Sequence, residues 1–215
     1  EFSTALGGVY DEWIWDVDVD QSWRVVLTGQ TSSHDFPTTF GAFDRELDQS
    51  GDTAADAFVS MLSADGSRLV YSTFLGGSEG DSADAIVLDG AGSPIVVGTT
   101  NSLNFPTSPN AYRATGYRAA FLARLSSDGS QLSYSTYIDN GYDSRANAVA
   151  VDELGRVAAT GRTTSDQFPV TPGAYDQTYN GSADAFVFGL QLPIGTAILS
   201  PIANADGDGS YTVSW

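Results

Sequence analysis

The chain repeats itself, and the intervals of the repeat constrain its fold more than any other feature. Tyr71-Ser72-Thr73-Phe74-Leu75-Gly76-Gly77 recurs as Tyr134-Ser135-Thr136-Tyr137-Ile138, and in degenerate form at the start as Phe2-Ser3-Thr4-Ala5-Leu6-Gly7-Gly8. Each leading aromatic is followed 18 residues later by an aspartate (Asp20, Asp89, Asp152), and 16 residues beyond that by Phe36-Pro37, Phe105-Pro106 or Phe168-Pro169. From Phe-Pro to the next shared phenylalanine (Phe58, Phe121, Phe186) the gap varies, at 22, 16 and 18 residues. Fixed intervals belong to packed elements and the elastic one to a surface connection.

Within a repeat the pattern is that of β-structure. Ala85-Ile86-Val87-Leu88 leads through Asp89-Gly90-Ala91-Gly92 into Pro94-Ile95-Val96-Val97, and Ala57 to Leu62 leads through Asp65-Gly66-Ser67 into Leu69 to Thr73. Asp-Gly between alternating apolar residues is a strong hairpin signal. Two hairpins in each repeat predict an all-β fold, a β-propeller-type array of about three four-stranded antiparallel blades. No stretch holds a 3.6-residue period for three turns, so helices are not expected.

Composition removes several chemistries. With no cysteine and one histidine, His34, the chain offers no disulfide, thiolate metal site, cysteine nucleophile or multi-histidine centre. All nine basic residues are arginine against 27 acids, a formal charge of −18, so nucleic acid is not an expected partner. Apolar runs are too short to cross a bilayer as a helix, and membrane insertion is not expected. His34 lies beside Ser32, Ser33 and Asp35, but neighbours in sequence do not make a triad, and no Gly-Xaa-Ser-Xaa-Gly elbow is present. No constellation points to an enzyme.

The ordered motifs Tyr-Ser-Thr-Xaa-Leu-Gly-Gly, the turn aspartate, Gly-Xaa-Thr, Phe-Pro, Asp-Ala-Phe-Val and Asp-Gly-Ser resemble the bacterial SBBP repeat, a β-propeller repeat of secreted and cell-surface proteins. The resemblance runs from residue 2 to about residue 192, as repeats over about 2–70, 71–133 and 134–192. It implies a secreted or cell-surface location and carries no uniform catalytic residues. The third repeat departs from it: Leu199 stands where a third Tyr-Ser-Thr is due, and Pro193-Ile194-Gly195 replaces the Asp-Gly turn. Residues 193–215 read as a linker and the opening strands of a fibronectin-type or immunoglobulin-like domain.

Three blades do not make a single ring, since propellers use about 4 to 8. The chain starts with an orphan closing strand, Ser3 to Leu6, and its last repeat lacks a good one, so the ends are complementary. Self-association by strand complementation, as a two-chain ring or a head-to-tail fibre, is one expectation. Excision from a longer array is the other.

Alignment of the repeats exposes what only one of them has. Asp16 and Asp18 replace Ala85 and Val87, and Trp13 and Trp15 stand on the opposite face, with Trp23 in the following turn. Paired carboxylates can share a hard cation, so Asp16, Asp18 and Asp20 form the candidate metal site, with Ca²⁺ the cofactor it admits. A solvated strand face is the plainer reading of the same acids. Paired indoles can form a platform for sugar rings or anchor a protein, or simply pack between blades. The shared turn aspartates are expected to accept backbone N–H groups, and 22 of the 27 acids are Asp. Each Phe-Pro pair is expected to plug the hydrophobic layer of its blade. The combined expectation is a non-enzymatic extracellular module for adhesion, scaffolding or self-assembly; the alternative is a carbohydrate-binding module using Trp13, Trp15, Trp23, Asp16 and Asp18. A glycan or a cell-surface protein would be the outside partner.

Overall fold

The structure is a computed structural model that describes residues 1–47 and 55–192. Among them are eleven strands: β1 (Glu12–Val19), β2 (Val25–Thr31), β3 (Asp56–Leu62), β4 (Leu69–Leu75), β5 (Asp81–Leu88), β6 (Pro94–Thr100), β7 (Ala119–Leu125), β8 (Leu132–Tyr137), β9 (Arg145–Val151), β10 (Arg156–Thr163) and β11 (Asp184–Gln191). The described residues contain no helix. Strands follow one another in chain order through three antiparallel sheets, β1–β4, β5–β8 and β9–β11, none of which closes on itself.

The four-stranded unit expected three times occurs twice. The third sheet has three strands among the described residues. Residues 3–6, the orphan closing strand of the sequence, pair with no strand among the described residues, since β4 already occupies the outer edge of the first sheet. The Ig-like reading of 193–215 lies outside the described residues, as does part of the elastic loop.

The turn chemistry is that expected from the sequence. Asp89 Oδ1 accepts the N–H groups of Ala91 and Ser93, and Asp152 Oδ1 those of Leu154 and Arg156, all at 2.9 Å. These side chains satisfy backbone groups that the reversal takes out of the ladder. The Asp-Gly-Ser turns are closed the same way, Asp65 and Asp128 each holding the N–H of Ser67 or Ser130 at 3.1 Å.

Each sheet has two unlike faces, and the sheets stack in one sense. On the leading face of each lies a pair of rings, one from Phe-Pro and one from the third strand: Phe36–Phe58 at 4.5 Å, Phe105–Phe121 at 4.4 Å and Phe168–Phe186 at 4.6 Å. The leading face of the second sheet, with Phe105, Val96 and Phe121, packs on Val26, Val59 and Met61 of the first. That of the third, with Val157 and Phe186, packs on Ile95, Val97 and Leu122 of the second. These two buried clusters are the core between sheets; at about 25 cal/mol per Å² they hold the stack together. The leading face of the first sheet carries the cluster Leu27, Phe36, Phe58 and Phe74, against which only Leu6, Val25 and Leu69 pack as partly buried neighbours.

The outermost strands explain the Tyr-Ser-Thr signature. Ser72, Thr73, Ser135 and Thr136 are fully buried. The loop after Phe-Pro clasps them: Thr39 N–H donates to the Ser72 carbonyl at 3.0 Å, and Asp44 N–H to Thr73 Oγ1 at 2.8 Å. Ser108 and Arg113 repeat both bonds on Ser135 and Thr136, at 3.0 and 2.8 Å. A small hydroxyl residue is required at each place because the strand edge meets backbone rather than water.

Candidate functional site

The first repeat's peculiar residues gather along β1, the edge strand of the first sheet. A bulge between Ile14 and Asp16 shifts the register against β2, which increases local twist and re-aims the side chains around it. Trp13 and Trp15 stack with ring centroids 6.0 Å apart and planes 9° apart. Both are half exposed, at 52% and 51%. Trp13 stands across from Gln30, so the bulge sets the stacked indoles on the same trailing face as Asp16 and Asp18, not on the opposite face that strict alternation predicts. Ile14, Val17 and Val19 are exposed to a similar degree and stand across from Gly29, Leu27 and Val25, so these three, and not the indoles, extend the leading face of the first sheet, the face that in the other two sheets lies under a neighbour.

On the trailing face Asp16 and Asp18 reach β5, the corresponding edge strand of the second sheet. Asp16 Oδ2 accepts the Ile86 N–H at 2.9 Å and Oδ1 that of Val17 at 2.9 Å. Asp18 repeats this with Leu88 at 2.8 Å and Val19 at 2.7 Å. Two carboxylates therefore satisfy four edge N–H groups on two sheets. An open strand edge otherwise presents such donors to solvent or to another chain, and bonds to an ionised acceptor are the strong kind. Ala148 and Ala150 hold these places in the third sheet and have no side-chain acceptor to offer.

Asp20, the third member of the expected metal set, is not joined to the other two. Its Oδ1 accepts the N–H groups of Ser22 and Arg24, and its Oδ2 pairs with Arg24 Nε at 2.6 Å. Among the described residues no three acidic or histidine side chains converge on a cation position. Bonds from Ser63 and from Ser67 hold the Asp65 carboxyl down at about 2, and bonds from Ser126 and Ser130 do the same to Asp128. The aspartates of the turns are committed to turn hydrogen bonds. His34 is exposed in its loop, as expected.

Trp23 is 73% exposed and has a φ of 61°. Its N–H bonds the Asp20 carbonyl at 3.0 Å, as Gly92 and Gly155 bond Asp89 and Asp152. Those two glycines share the conformation, at φ 73° and 72°. A bulky residue thus occupies a left-handed position that the other repeats give to glycine, at a cost of about 1–2 kcal/mol.

A second feature escaped the sequence reading. A cleft of about 540 Å³ runs along β11, lined by Thr171, Asp176, Phe186 and Phe188 among others. Its acids are engaged locally: Asp176 accepts from Thr178 N–H at 2.9 Å and Oγ1 at 2.7 Å, and Asp184 from Asn180 N–H at 2.7 Å. The cleft lies where β4 and β8 lie in the other sheets. The absence of a third Tyr-Ser-Thr was its only signal in sequence.

No family model matches the chain, and no curated protein matches it. The resemblance to a propeller repeat rests on the sequence motifs alone.

Proposed function

We propose that the chain is a non-enzymatic, extracellular or cell-surface module of β-propeller type, built to join other repeats end to end for adhesion, scaffolding or self-assembly. The observation that carries this reading is the leading face of the first sheet. Every other leading face is covered by the sheet before it, and this one ends in a half-exposed stripe of Ile14, Val17 and Val19. Exposed apolar patches of this kind mark interaction surfaces. Two chains would contribute six sheets, within the range of about 4 to 8 that closed propellers use. The test is the mass of the native full chain by sedimentation. Multiples of the chain mass, lost on Val17→Asp, are expected; a monomer at all concentrations would sink the idea.

A carbohydrate-binding module is the second reading, and the near-parallel, half-exposed Trp13–Trp15 pair supports it, since sugar rings stack on exposed indole faces. A glycan array probed with the full chain and with Trp15→Ala separates the two readings. Binding that disappears in the variant favours the module, and no binding to any glycan counts against it. A calcium-dependent melting temperature would add the cofactor, because a ligand bound to the folded state stabilises it.

A further inference from the structure

We propose that the outer edge of β11 is a strand-acceptor groove whose occupant is the segment Phe2–Gly7 of a second copy of this chain. This deepens the end-to-end reading above by naming the parts that join.

The acceptor is already shaped. In the first two sheets the loop after Phe-Pro grips the fourth strand through its third and eighth residues, Thr39 and Asp44 or Ser108 and Arg113. Thr171 and Asp176 stand at the same distances from Phe168. The loop closes on the same turn in all three repeats: Ala42 N–H bonds Thr39 at 3.2 Å, Ala111 bonds Ser108 at 3.0 Å and Ala174 bonds Thr171 at 2.9 Å. In the third repeat the clasp holds no strand among the described residues, and the cleft lies in its place.

The donor is already posed. Residues 2–10 run along the first sheet as 71–79 run along the second. A Cβ on Gly66 would strike the Phe2 ring, and one on Gly129 the Tyr71 ring. Tyr10 N–H bonds Ser33 Oγ at 2.8 Å, matching Glu79 N–H on Ser102 Oγ at 2.8 Å. Val9 N–H bonds Asp35 Oδ1 at 3.0 Å, matching Ser78 N–H on Asn104 Oδ1 at 2.9 Å. The segment is a fourth strand seated beside its neighbour sheet, without a sheet of its own among the described residues. Joining therefore needs no refolding of the donor.

Two further details fit the same junction. Phe43 and Tyr112, each seven residues after its Phe-Pro phenylalanine, reach the following sheet: Phe43 packs in the core between the first and second sheets, and Tyr112 lies 5.3 Å from Phe188 of the third. Their counterpart Tyr175 is fully exposed, at 107%. The second detail is room for a carboxylate. A Cβ on Gly76 would strike Asp56; the second sheet exchanges this pair for Ala119 and Asp139, and the junction with a second copy would restore it as Asp184 with Gly7. Within the same chain, Leu199-Ser200-Pro201 is a poorer occupant, because Pro201 stands where Thr73 and Thr136 supply both a ladder N–H and a clasped hydroxyl.

The register follows from Val59 opposite Thr73 and Leu122 opposite Thr136: Thr4 of one copy should face Val187 of the other, a residue 79% exposed in the single chain. The full chain has no cysteine, so a Thr4→Cys chain and a differently tagged Val187→Cys chain can be mixed under mild oxidation without background. Facing strand residues lie within disulfide reach. The expected result is a Thr4→Cys/Val187→Cys heterodimer, suppressed by excess peptide of residues 1–8, together with at least tenfold weaker association of the surface variant Tyr175→Ser. If association persists and is lost on Val17→Asp, but no such cross-link forms, the groove proposal is overturned and the end-to-end reading stands. A chain that is monomeric at every concentration overturns both.

Discussion

Position 23 carries tryptophan in a backbone conformation that its two counterparts reach with glycine, and the strain is not repaid by burial, since the indole faces solvent. Trp23→Gly should therefore stabilise the fold by about 1 kcal/mol in urea denaturation; an unchanged or lower midpoint would show that the indole makes a compensating contact. The substitution is visible in the aligned repeats, but its cost is not, because only the coordinates give the sign of φ. Asp81 poses the converse problem. Burial pushes its carboxyl up to about 6, against bonds from Gly77 N–H at 2.7 Å and Ser102 Oγ at 2.9 Å. The unfolded chain protonates near 3.8, so between these values the folded state holds the extra proton. Stability should rise by about 2 kcal/mol as pH falls from 7 to 4.5. Asp65 and Asp128, held near 2, act oppositely and withdraw support only below about 4. Denaturation at the two pH values checks the sign, and Asp81→Asn should flatten the difference.

Strands and their edges were legible to different degrees. Apolar alternation and Asp-Gly turns predicted the hairpins, and each falls where expected, because a hairpin is decided by residues a few positions apart. The N-terminal segment has no such local partner: its signature describes a place in a ladder, and the ladder it would join is not nearby in the sequence. Asp16 and Asp18 stood out in the sequence as breaking the repeat, yet what they bind, the N–H groups of Ile86 and Leu88, comes from the next sheet. Asp18→Ala leaves the Leu88 and Val19 N–H groups without that acceptor and should cost about 1–2 kcal/mol. Hydrogen exchange should quicken at those two amides first; exchange that rises evenly over the first two sheets would count against an edge role.

Over the whole molecule, a formal charge of −18 opposes any contact between copies, while the surface that would make the contact is apolar. Salt should therefore strengthen self-association, since the Debye length shrinks from about 10 Å at 0.1 M to about 3 Å at 1 M; dissociation on adding salt would mean that ion pairs hold the junction instead. The sense of the stack has its own consequence. Because each sheet offers its leading face to the one before it, a copy has a giving end and a receiving end, and they are not interchangeable. A chain disabled at one end would still take its place at the other, so a small fraction of such chains would terminate growth and set the length of whatever the intact chains build.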